Sequence, residues 1–169
     1  MDLAVKACGC RYHESDGKIV LIGVGNEHSS DDGVGHYIAK ELKTKNLPGT
    51  HFEFVSGEAA SLIEAWRGKR NAIVFDAVRS GAPAGKIYRF EAHSQSVPGR
   101  LFNPSSSHNL GVSEAVELSR RLNLLPPRII IYGIEGKNFG QGVGLSPEVK
   151  NSARDVVELV MREILGEDQ

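Results

Sequence analysis

Short runs of apolar residues punctuate the chain at Ile19–Val24, 72–75 and 129–134. They are β-branched and nearly unbroken rather than alternating, as strands buried on both faces are. Residues 51–55 alternate more and read as a strand nearer an edge. Residues 86–90 follow Gly81-Ala82-Pro83-Ala84-Gly85, and so short a connection predicts antiparallel pairing at the margin of the sheet. Helical spacing fills the gaps. Val34, Ile38 and Leu42 share one face, and Ala115, Leu118 and Leu122 share another before Pro126-Pro127. The clearest helix carries Ala153, Val156, Val157, Val160, Met161 and Ile164 on one stripe. Ser146 suits its N-cap and Pro147 its first helical position. The order β-α-β-α-β-β-α-β-α predicts an α/β fold: a single domain with a twisted, mostly parallel five-stranded sheet, helices on both faces and one antiparallel edge strand. Such sheets bind ligands outside the carboxyl ends of their strands, so candidate chemistry is sought there.

Composition narrows the classes of function. A chain of 169 residues is long enough for one two-faced sheet, read here as a domain over 18–169 behind an N-terminal arm, 1–17. Twenty Lys and Arg against 21 Asp and Glu leave a formal charge of -1, without the basic footprint of a nucleic-acid binder. No apolar run reaches the ~20 residues of a membrane span, and residues 1–12 lack the apolar core of a secretory signal. Both cysteines, Cys8 and Cys10, lie in the arm, so no disulfide framework is expected and a reducing cytoplasm fits best. With His13 they read as incidental thiols rather than a metal site.

The first loop, from Gly23 to Gly35, contains Gly23-x-Gly25 but has His28 where a dinucleotide fingerprint needs its third glycine. It does carry adjacent carboxylates, Asp31 and Asp32, just before a helix. One is accounted for by helix capping; two in a row repel, which favours a functional role for at least one. Asp76 follows 73–75 and reads equally as a turn former or a ligand. His108 follows Ser105-Ser106-Ser107 and is expected to open a helix on the ligand-bearing edge. One carboxylate from Asp31 or Asp32, a second from Asp76 and the His108 imidazole would suit a borderline divalent cation. Five glycines between 133 and 144 after the last strand predict either a mobile loop that closes on a ligand or an ordinary flexible one. No Gly-x-Ser-x-Gly elbow precedes a helix, which argues against a serine nucleophile.

Val20-Leu21-Ile22-Gly23-Val24-Gly25-Asn26 and then Asp31-Asp32-Gly33-Val34-Gly35 resemble the opening of the nickel–iron hydrogenase maturation proteases. Ile73-Val74-Phe75-Asp76-Ala77, Gly85-Lys86-Ile87, Ser107-His108-Asn109-Leu110, Gly133-Ile134-Glu135 and Gly144-Leu145-Ser146-Pro147-Glu148-Val149 follow in the family's order. The resemblance implies an endopeptidase, by family classification of aspartic type, acting on the nickel-loaded precursor of a hydrogenase large subunit. It would remove a C-terminal extension from that partner. Nickel would arrive with the substrate, and the same site would take other divalent cations. By motif position the resemblance makes Asp32, Asp76 and His108 the metal-contacting residues, with Asp31 in a supporting or proton-accepting role beside Asp32. Where the family has Asp-Gly-Gly after its second strand, this chain has Ser56-Gly57-Glu58; Glu58 is a weak candidate for contacting the substrate tail. Two rival readings stand beside this one: a maturation chaperone that binds metal without cutting, and another α/β hydrolase of the same topology.

Overall fold

The computed structural model describes residues 18–102 and 111–166, apart from the side chains of Arg100 and Phe102. Five strands form one sheet: β1 (Ile19–Val24), β2 (Thr50–Val55), β3 (Asn71–Val78), β4 (Ile87–Glu91) and β5 (Arg128–Glu135). Their order across the sheet is β2-β1-β3-β5-β4. The first four in that order run parallel, and β4 closes the edge antiparallel to β5, as its short connection predicts. The helices are α1 (Val34–Thr44), α2 (Ala59–Trp66), the short α3 (Gly99–Phe102), α4 (Val112–Arg121) and α5 (Pro147–Leu165).

The unbroken apolar runs become the central strands because both of their faces are covered. Every residue of β1 and β3 is buried, whereas no residue of β2, at the edge, is. Ile19, Leu21, Ile73, Phe75, Ile130 and Tyr132 turn towards α1 and α5. Val20, Ile22, Val74, Val78, Ile129 and Ile131 turn towards α2 and α4. Beneath α2, Trp66 is fully buried, and its indole N–H donates to Ser119 Oγ at 3.1 Å. That bond satisfies the one polar atom an otherwise apolar side chain brings into the core.

Two expectations needed correction. The fourth helix does not bury Ala115 together with Leu118 and Leu122. Its inner face is Val112, Ser113, Ala115, Val116 and Ser119, and both leucines are exposed. Small residues win that face because α4 lies close to α2. The third strand also runs on through Val78, so Asp76 lies within β3 rather than in a turn after it.

Candidate active site

The chain passes from β1 to β2 on one side and from β2 back over β1 to β3 on the other, which makes the carboxyl ends of β1 and β3 the switch point of the sheet. A crevice forms at such a place because the two connections leave in opposite directions. The ladder between β1 and β3 ends at Gly23 and Phe75. Asp76, the next residue, therefore has β5 on one side, at Gly133, and on the other the loop leaving β1. That loop turns into a 3-10 segment, Ser30–Gly33, which packs against β3 before α1 begins. A side chain on Gly25 would overlap the carbonyl oxygen of Asp32, and one on Gly35 would overlap the backbone of Phe75 and Val24. Gly25 also holds φ at +123°. Glycine at both positions lets the loop and the first turn of α1 settle directly on the strand ends.

This brings Asp32 and Asp76 together. Asp32 is half-buried, and its Oδ2 accepts the Asn26 N–H at 2.8 Å. Asp76 is buried, and its Oδ1 accepts the Ala77 N–H at 2.8 Å. Burial first, and then the negative charge of Asp32, push the Asp76 carboxyl well above the ordinary aspartate range; the Ala77 N–H opposes this. Burial raises Asp32 as well, against the Asn26 N–H and the nearby His36 and Arg79. Two adjacent carboxyls raised in this way are poised to share a proton or to accept a cation.

Asp31 has a different occupation. It is fully buried, with Oδ1 accepting Ser146 N–H at 2.7 Å and Oδ2 accepting Lys137 N–H, Asn138 N–H and Ser146 Oγ–H, each at 2.8 Å. Burial works against its charge, but the bonds from Asn138, Ser146 and Lys137 outweigh it and hold the carboxyl below its usual range. An acceptor so fully occupied is a clasp. Nor does either aspartate cap α1: the N-cap is Gly33, and no side chain caps it. The clasp also decides the fate of the glycine-rich stretch. Ser30 N–H donates to Gly142 O and Gly142 N–H to His28 O, both at 2.9 Å, so residues 137–146 are tied to the first loop. They are not free to swing as a lid. Ser146 and Pro147 do begin α5 as expected, but the Ser146 hydroxyl turns to Asp31 instead of capping the helix.

His108, like Cys8, Cys10 and His13, lies outside the described residues. Among the described residues no group of three or more His, Cys, Asp or Glu side chains is arranged to hold a metal ion. Glu58 is exposed at the N-cap of α2, also on the carboxyl side of the sheet. Beside the crevice, outside β1 and β2, a cleft of about 420 Å³ is lined by Asn26, Glu27, His28, His36, Phe54 and Ser56.

Residues 36–163 match a sequence model described as hydrogenase maturation protease. The chain belongs to the hydrogenase maturation protease family. It is 23% identical over 148 residues to the hydrogenase 2 maturation protease of Escherichia coli, covering 85% of this chain and 88% of that one. It is 26% identical over 151 residues to a hydrogenase expression/formation protein of Thiocapsa roseopersicina, with 87% and 67% covered. An endopeptidase of Escherichia coli shares the fold with a TM-score of 0.71 at 21% identity, over 86% of this chain and 93% of that one. The NiFe hydrogenase maturation protease of Thermococcus kodakarensis does so with a TM-score of 0.66 at 18% identity, over 90% and 95%. Members of this family are peptidases.

Several residues around the maturation protease crevice escape a reading by motif. His36 sets Nδ1 against Glu27 Oε1 and Nε2 against the carbonyl of Val55, each at 3.1 Å, joining α1 to the first loop and the end of β2. Glu135 is buried and accepts Ser80 N–H, Gly81 N–H and Ser80 Oγ–H, fixing the turn between β3 and β4. Arg79 lies three residues beyond Asp76 with its guanidinium over the Phe139 ring. The only signal of Arg79 in the sequence is a positive charge just past an apolar strand, which is common on surfaces.

Proposed function

We propose that this protein removes a C-terminal extension from the nickel-loaded precursor of a nickel–iron hydrogenase large subunit. In this reading Asp32, Asp76 and His108 meet the substrate's own nickel. The observation that carries it is the pairing of two raised carboxyls, Asp32 and Asp76, at the switch point of a fold whose family cuts hydrogenase precursors. Side-by-side carboxylates in a half-dry crevice repel unless a cation or a proton comes between them, and a metal delivered by the substrate supplies that partner. His108 stands four residues before α4, which packs on the face of the sheet shared by Val74 and Val78. Strand alternation puts Asp76 on that same face. Names of relatives support the substrate class: one is a hydrogenase 2 maturation protease and another a NiFe hydrogenase maturation protease.

Hydrolysis needs an activated water and a polarised carbonyl. The substrate's metal, held at the crevice, would bring the scissile bond to a fixed place beside the carboxyl pair. Asp31 acts at a distance by clasping the loop that walls the site. The test is the intact mass of a hydrogenase large-subunit precursor incubated with the protein, with and without nickel in the precursor. The expected result is loss of a C-terminal peptide from the nickel-loaded form alone. An unchanged mass in both would replace the endopeptidase by a binding chaperone, and cutting without nickel would favour a hydrolase of another kind.

A further inference from the structure

Arg79 is the first residue past the end of β3, and its N–H donates to the carbonyl of Leu101 at 3.3 Å. Its guanidinium carbon lies 4.3 Å from the centre of the Phe139 ring, a stacked cation–π arrangement. The ring is itself held in place. It lies against Gly136, where any side chain would run into it, and Gly136 N–H donates to Val78 O at 2.9 Å. On the other side the Asp31 clasp fixes Lys137 and Asn138. Arg79 is exposed yet pre-oriented, and among the described residues its guanidinium enters no salt bridge. Its charge nevertheless reaches Asp32. A guanidinium seated on a fixed aromatic ring, three residues past Asp76 at the carboxyl edge of the sheet and in no salt bridge among the described residues, has the geometry of a site for developing negative charge.

We infer that Arg79 is a catalytic residue, its guanidinium donating to the oxygen of the scissile carbonyl from its seat on Phe139; this rests on the endopeptidase reading above. Water's oxygen bonds to the carbonyl carbon while one of its protons passes to a second water molecule. The π pair of the C=O bond moves onto the oxygen, where the Arg79 N–H groups meet the new charge. As that pair returns, the C–N bond breaks and the departing amine takes the proton. Nothing is oxidised or reduced.

The experiment compares wild type, R79A, R79K and F139A on a nickel-loaded large-subunit precursor, reading kcat and KM separately. R79A is expected to lower kcat by about 10²–10³ with little change in KM, as the loss of one oxyanion donor does. R79K recovers only part of this, because an ammonium lacks the planar fork. F139A, which removes the platform and keeps the charge, loses less than R79A. Added guanidinium ion, well below denaturing concentrations, is expected to speed R79A and leave wild type unchanged, a response that a purely structural residue would not give. R79K answers the same question should R79A fold poorly. Cutting by R79A at the wild-type rate, or a loss confined to KM, overturns the inference while leaving the endopeptidase reading standing. A wild-type protein that leaves the precursor intact overturns both.

Discussion

Three aspartates in this protein share a residue type and differ in what surrounds them. Among the described residues Asp31 has four donors on two oxygens, whereas Asp32 and Asp76 each accept one hydrogen bond, from a backbone N–H. Replacing Asp31 by Ala leaves three backbone N–H groups and a hydroxyl without their acceptor. The expected cost is roughly 2–4 kcal/mol, read by urea unfolding, with faster amide exchange concentrated in residues 137–146. The pH dependence has a definite sign. A carboxyl lower in the folded state than in the unfolded chain contributes stability that is whole above the unfolded value and lost as pH falls through the lower folded one. Protection of the loop should therefore persist through mild acid and fail only below it, and failure already near pH 5 would contradict the clasp. Asp76 runs the other way. Its folded carboxyl lies above the unfolded one, so its ionised form costs stability at neutral pH, and the cost fades as pH falls through the folded value. Asp76→Asn should raise Tm in the substrate-free protein, about 1 kcal/mol or roughly 2–4 °C for a chain of this size, while abolishing processing. Sequence reading found Asp32 and Asp76 because they end apolar strands and loops in a recognisable pattern. The residue pattern alone leaves Asp31 and Asp32 interchangeable, and only the family resemblance separates them, since the donors to Asp31 lie more than a hundred residues away in the chain.

At the scale of elements, what was legible followed from periodicity. Strands buried on both faces announce themselves by unbroken β-branched runs, and α5 by its apolar stripe with Ser146 and Pro147 at its start. The face of α4 is not legible from hydrophobicity because it packs through Ala115, Val116 and Ser119, small residues that hydrophobicity alone does not weight, while Leu118 and Leu122 remain in solvent. The glycine-rich stretch was read as mobile for a related reason: glycine content speaks to what a backbone can do, and the clasp that restrains it comes from elsewhere. The first loop is different, because its glycines mark contacts rather than freedom. Gly25→Ala puts a methyl group into the carbonyl of Asp32 at a positive φ. It should destabilise the protein by roughly 1–3 kcal/mol and displace Asp32, so that processing falls further than stability alone explains. Thermal melts and processing rates measured on the same preparation check this; equal, small effects on both would show that the loop tolerates a side chain there.

Across the whole molecule, the topology does most of the placing. Order β2-β1-β3-β5-β4 sets the switch point between β1 and β3, and the two aspartates arrive there from different elements, one from the strand and one from the turn before α1. A second polar cluster, remote from motif reading, ties the antiparallel edge to α5: Arg89 donates to Glu163 at 2.6 Å and to Tyr132 Oη at 3.2 Å, all three nearly buried. It anchors β4, and with it the turn that Glu135 fixes, but brings no group to the crevice. Among the described residues no helix is long and apolar enough to cross a membrane. The central claim is that Asp32, Asp76 and His108 act as a unit on a substrate-borne metal. It is tested most directly by mass spectrometry of nickel-loaded precursor treated with Asp32→Asn, Asp76→Asn and His108→Ala, each first shown to be folded. The account predicts full-length precursor with every one of the three; normal shortening by all of them would contradict it.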